Sequence, residues 1–154
     1  MQLRLEVDAL YAHYVELLDE GPLAQWPALF LEAGSYRAVT RENVERGWPL
    51  ALMLCESRAA IEDRVYAIEN LALKIPRRAR HILSGFVVAE QGEQVQVSAN
   101  FAVFETLEGG ATTCFAVGRY RDVLARDGEG FLKFREKVSI ADGALISNSL
   151  VMPL

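Results

Sequence analysis

At 154 residues, with 51% hydrophobic and 24% charged side chains, the chain has the size and make-up of one globular domain spanning 1–154, able to bury roughly two thirds of its unfolded surface. Its 16 basic and 21 acidic residues give a net charge of −5, which excludes a general nucleic-acid binder, because phosphates require a basic surface. No apolar run approaches a membrane span, and the amphipathic, acidic start MQLRLEVDALY lacks the basic head and apolar centre of a signal peptide.

The first element is a helix: Leu3, Val7, Leu10, Tyr11, Tyr14, Val15 and Leu18 recur at spacings of three and four and fall on one face. Gly21 and Pro22 end it, and Trp26, Leu29 and Phe30 predict a short second helix. Ser35 to Thr40 reads as a strand, Arg41 to Pro49 as a long loop, and Leu50 to Cys55 as an apolar run. Ser57 is placed to cap a third helix, whose buried stripe is Ile61, Val65 and Ile68 and which stops before Pro76.

Beyond Pro76 the period changes from helical to alternating. Val95, Val97, Ala99, Phe101 and Val103 take one face of a strand, and Gln94, Gln96, Ser98 and Asn100 the other. Glycine-bearing turns at 91–93, 108–110, 127–130 and 142–143 separate strands long enough to pair antiparallel with their sequence neighbours, at least four in a meander. N-terminal helices followed by long strands make an α+β domain in which the helices cover one face of a curved antiparallel sheet. That order fits the cone-shaped fold of ketosteroid isomerases, scytalone dehydratase and nuclear transport factor two, a fold that hosts enzymes and scaffolds alike.

Chemistry is sparse. Two cysteines and two histidines equal the ligand count of a Rieske iron–sulfur centre, but His13, Cys55, His81 and Cys114 are tens of residues apart instead of in close pairs, so neither that centre nor a mononuclear iron triad is expected in this chain. Cys55 and Cys114 lie in apolar runs and read as buried free thiols of a reducing cytoplasm. Phosphate loops, nucleophile elbows and zinc-protease patterns are missing from the sequence. One enzymatic arrangement stands as the alternative, a stand-alone isomerase, dehydratase or cyclase: His81 at the cone's mouth as general acid or base, Tyr14 or Tyr120 donating to an oxyanion, Asp63 orienting the imidazole. Against it stands the reading of His81 as an interface or strand-end residue beside arginines. Glu136 shares an alternation with Leu132, Phe134, Val138 and Ile140, so it is expected buried and paired with Arg80, Arg119 or Arg121.

Glu42 to Ile68, ENVERGWPLALMLCESRAAIEDRVYAI, resembles the small (beta) subunit of aromatic-ring-hydroxylating dioxygenases, in which a loop, an apolar strand and a helix with a Glu-Ser-Arg start follow in this order. The likeness extends to Arg80-His81-Ile82-Leu83-Ser84-Gly85, with Gly85 where the family pattern leads one to expect asparagine. It also takes in the Tyr11 and Tyr14 pair, the Trp26 segment and the closing run from Ser149 to Leu154. The resemblance implies a structural subunit without catalytic, cofactor or metal residues, self-associating as a trimer within an α3β3 hexamer. The large subunit of that hexamer would carry the Rieske [2Fe-2S] cluster and the mononuclear iron. Length and tail are most similar to systems acting on aromatic acids of the terephthalate, salicylate or anthranilate type. Two interface segments follow from position and chemistry: Arg77, Arg78, Arg80 and His81 facing partner carboxylates, and the apolar tail with Leu150, Met152 and Leu154, which an assembly would cover.

Overall fold

A computed structural model describes residues 1–72, 76–143 and 150–154 of the chain; Ser149, at the head of the closing run, lies outside the described residues. Helix α1 (Gln2–Asp19) buries Val7, Leu10, Tyr11, Tyr14, Leu17 and Leu18, the face its periodicity predicts. A 3-10 turn follows at Leu23–Leu29 and buries Trp26; Phe30, expected at its end, instead opens strand β1 (Phe30–Thr40), which starts five residues ahead of the predicted strand. The expected loop after it begins with a short helix α2 (Arg41–Glu45), because the Thr40 side chain accepts a hydrogen bond from the Asn43 N–H and caps it. Strand β2 (Met53–Cys55) occupies the end of the apolar run, and helix α3 (Arg58–Asn70) starts at Ser57, whose Oγ accepts from the Ala60 N–H at 3.2 Å. Ile61, Val65 and Ile68 are its buried stripe.

The meander comprises β3 (Arg77–Gln91), β4 (Gln94–Leu107), β5 (Thr112–Arg126) and β6 (Leu132–Ala141), joined at the predicted turns. Among the described residues six strands form one sheet in the order β2-β1-β6-β5-β4-β3. All neighbours are antiparallel except β1 and β6, which run parallel from Phe30↔Phe134 to Thr40↔Ala141. Hairpin signals reveal pairings between neighbours in sequence and carry no information about this long-range one. The helices lie on one face of the sheet, and an aromatic cluster of Tyr11, Tyr14, Trp26, Phe30, Tyr36, Tyr120 and Phe134 fills the space between, with edge-to-face contacts at 5.1–5.4 Å among its members and Phe86. Among the described residues no helix is long and apolar enough to cross a membrane.

Register irregularities bend the long strands and decide which residues face inward. In β3, two residues, Gly85 and Phe86, stand against Ala99 between the Ser84↔Asn100 and Val87↔Ser98 pairs. Gly85 has φ +63°, a left-handed conformation open to glycine and tolerated by asparagine. At Gly118 the requirement is space, because an added Cβ would meet the Ile140 carbonyl oxygen at 1.9 Å. In β5, Phe115 is the extra residue between Val103↔Ala116 and Phe104↔Cys114. That shift turns Phe115 towards the helix side and leaves Cys114 exposed, correcting the expectation of a buried thiol there; Cys55 is buried as expected.

Candidate functional site

The largest departure from the predicted alternation lies in β6. Arg135 is unpaired between Val123↔Glu136 and Leu124↔Phe134, so the strand's inward face changes from Leu132 and Phe134 to Lys137, Ser139 and Ala141. Glu136 is therefore exposed, and the buried charge is Lys137, at 0% exposure. Its Nζ sits 3.1 Å from Asp122 Oδ2 and 3.0 Å from the centroid of the Tyr120 ring. Asp122 also accepts from the Tyr11 hydroxyl, and its Oδ1 accepts from the Val138 N–H at 2.9 Å. Burial pulls the Lys137 ammonium down to about 8, with Asp122 opposing the fall, and pushes the Asp122 carboxyl up against the pull of Lys137 and Tyr11. Asp122 shares the inward alternation of Tyr120 and Leu124, a signal present in the sequence; Lys137 carries no such signal, because the bulge that turns it inward is invisible there.

The chain's last residue closes the interior beside this pair. The Leu154 N–H donates to the Tyr36 hydroxyl oxygen at 2.8 Å, while the Leu154 carbonyl accepts from Tyr14 Oη at 2.6 Å and Ser139 Oγ at 3.0 Å. Leu154 is 1% exposed within its own chain, so it has no surface to offer a partner. Tyr14 is committed to this bond and is not free to stabilise an oxyanion. Burial raises the Tyr14, Tyr120 and Tyr11 hydroxyls well above the ordinary phenol range, which keeps them protonated.

A cavity of about 610 Å³ lies between the end of α1, α3, the sheet and the tail. Its walls include Leu17, Leu23, Ile68, Val103, Phe115 and Met152. His81 reaches it from β3. Its Nδ1 lies 2.6 Å from Asp19 Oδ1, and its backbone N–H donates to Asp19 Oδ2 at 2.8 Å, so the last residue of α1 fixes both the imidazole and the strand edge. Asp19, not Asp63, is thus the orienting carboxylate; Asp63 is exposed on α3. The His81 and Asp19 side chains are 2% and 4% exposed, and His81 Nε2 is buried without a hydrogen-bond partner among the described residues. Those values remove His81 from the expected docking surface. Arg77 is partly buried and pairs with Glu105 at 3.0 Å, whereas Arg80 is exposed beside Glu20 and Arg78 is exposed with no ion pair among the described residues. Leu150 and Met152 are half-buried on the cavity wall.

The soft ligands do not converge. His13 is exposed on α1, Cys55 buried in β2, His81 tied to Asp19, and Cys114 exposed on β5. Among the described residues no three His, Cys, Asp or Glu side chains come together as a metal-holding group.

Residues 13–147 match the sequence model of the ring hydroxylating beta subunit. The anthranilate 1,2-dioxygenase small subunit of Burkholderia cepacia is 27% identical over 155 aligned positions, covering 100% of this chain and 96% of its own length. Subunit beta 1 of the terminal oxygenase component of terephthalate 1,2-dioxygenase from Comamonas sp. is also 27% identical, over 97% of each chain. A solved structure from Novosphingobium aromaticivorans, assigned as the beta subunit of an aromatic-ring-hydroxylating dioxygenase, superposes with a TM-score of 0.85 at 32% identity, over 96% of this chain and 94% of its own. The fold is also that of ActVI-ORFA from Streptomyces coelicolor, with a TM-score of 0.74 at 21% identity over 92% of this chain and 98% of its own.

Proposed function

Because the chain belongs to the ring-hydroxylating beta-subunit family, as a small subunit of an aromatic-ring dioxygenase, we propose that it acts without a catalytic group of its own. It organises large subunits that bear the Rieske cluster and the mononuclear iron. The observation that carries this reading is the fate of most interior polar groups: Tyr11, Tyr14, Tyr36, Asp122, Lys137 and Ser139 bond to one another or to Leu154, which is the work of packing, while the Tyr120 hydroxyl, buried without a partner among the described residues, lies outside the His81 cavity wall. The assembly is an α3β3 hexamer with the small subunits as its trimer, working in the cytoplasm. Its substrate is an aromatic acid, by analogy with the anthranilate and terephthalate systems of the relatives.

The docking surface includes Arg78 and Arg80 on β3. That strand is a sheet edge of 15 residues with Ile82 and Val87 more than half exposed, the kind of edge that natural proteins cover. Arg77, already paired within the chain, contributes less, and Leu150 and Met152 contribute only what the cavity wall leaves exposed. Co-expression with a Rieske-type large subunit, followed by light scattering, tests the proposal: a hexamer mass is expected, and Arg78→Glu with Arg80→Glu is expected to weaken it. Elemental analysis of the chain alone is expected to find no stoichiometric iron. A chain that stays separate from every such partner, or His81→Ala that leaves the hexamer intact and abolishes turnover, overturns the non-catalytic scaffold.

A further inference from the structure

We propose that the His81 cavity is a binding site for a small, uncharged aromatic alcohol, a role beyond assembly. Three features of the site define that ligand class. Most of the lining is apolar, with Leu17, Leu23, Ile68, Val103 and Met152 around the Phe115 ring, and the volume of about 610 Å³ falls within the range of small-molecule pockets. His81 Nε2 is the buried polar atom left without a partner here among the described residues, and buried nitrogens are normally bonded. Asp19 holds the other ring nitrogen at 2.6 Å, which fixes the ring's orientation without using Nε2.

A hydroxyl group suits that nitrogen in either charge state of the imidazole. It donates to an unprotonated Nε2 and accepts from a protonated one, whereas a carbonyl or an ammonium does just one of the two. Charge excludes an acid. Asp19, Glu20, Glu69 and Glu105 line the cavity against Arg77, whose guanidinium is already paired with Glu105 at 3.0 Å. A carboxylate entering here would meet an acidic wall and leave water for no unpaired lining cation among the described residues, so the ligand differs in charge from the aromatic acids named for the relatives.

The test is fluorescence titration of the purified full chain, and of its complex with a large subunit, with 2-naphthol, naphthalene and 2-naphthoate. In both preparations 2-naphthol is expected to bind about tenfold more tightly than naphthalene, the effect of one hydrogen bond to an otherwise unpaired buried group, and 2-naphthoate more weakly than either. His81→Asn keeps a side-chain N–H for Asp19 and removes the Nε2 position, so it is expected to abolish the tenfold preference while naphthalene binding persists. Ala79→Phe, on the cavity wall, is expected to abolish binding of all three and leaves the Asp19–His81 pair in place. Should His81→Asn fail to fold, the wild-type preference for 2-naphthol over naphthalene and the loss of all binding in Ala79→Phe decide the matter. The proposal is overturned if the chain binds none of the probes, if His81→Asn retains the preference, or if binding vanishes in the complex, which would assign the cavity to a side chain of the partner.

Discussion

Among the described residues Asp122 with Lys137 and Asp19 with His81 are side-chain pairs buried to nearly the same depth, and they differ in what surrounds them. Asp122 and Lys137 are sealed: the carboxylate is bonded by Lys137, Tyr11 and Val138, and the ammonium lies on an aromatic ring. Asp19 and His81 have one ring nitrogen beside a cavity with no partner among the described residues. Depth of burial therefore does not separate a structural pair from a candidate site; an unpartnered ring nitrogen facing a cavity does.

The comparison can be broken most directly by removing each carboxylate. Asp122→Ala strands a buried ammonium together with the Tyr11 hydroxyl and the Val138 N–H, and is expected to cost about 4 kcal/mol in urea unfolding. Asp19→Ala, which frees one ring nitrogen and the backbone N–H of His81, is expected to cost about half as much. Equal costs would erase the distinction between the two. Leu154→Ala probes the wall between them: loss of a buried leucine side chain is expected to cost about 3 kcal/mol, with the backbone bonds to Tyr14 and Tyr36 retained.

Alkali sharpens the contrast further. Lys137 releases its proton near pH 8 when folded but near 10.5 when unfolded, so between those values the unfolded chain binds more protons, and this group's contribution to stability rises with pH. Below pH 8 that contribution is constant. The urea midpoint of the wild type relative to Lys137→Met is expected to climb from pH 8 to pH 10, and a flat difference would show that Lys137 is not strained by burial. At the small end, Arg80→Ala removes an exposed ion pair with Glu20 and is expected to leave the melting temperature of the isolated chain unchanged within about 1 °C. A larger shift would move Arg80 from the docking surface into the fold.

What could be read from the sequence follows from the range of the forces involved. Helix α1, the Ser57 cap, the α3 stripe and the four-stranded meander depend on periodicity and turn chemistry among near neighbours, and they stand where predicted. Thr40, the end of the expected strand, is an equally local cap signal, and it opens a helix where Arg41 to Pro49 reads as loop. The interior was legible only in part. Glu136 and Lys137 exchange faces because Arg135 has no partner on β5, a property of two strands together. Asp19 meets His81 across 62 positions, so Asp63 was the plausible choice by proximity alone. The apolar tail reads as needing a partner's cover, and at Leu154 the cover is the chain's own Tyr14, Tyr36 and Ser139.

The parallel pairing of β1 with β6 has a consequence for synthesis. Residues near 35 wait for residues near 136 before their strand has a neighbour on that side, and Tyr14 and Tyr36 wait for Leu154. Contacts so distant along the chain are slow to form, because a loop of about a hundred residues must close before any of them is rewarded. During translation the helices and the β3–β4 hairpin emerge early with their apolar faces uncovered, and the domain cannot close around them until β6 and Leu154 have been made. Folding here is thus a late event, and the interval before it is when a nascent chain is most exposed to misassembly with its neighbours.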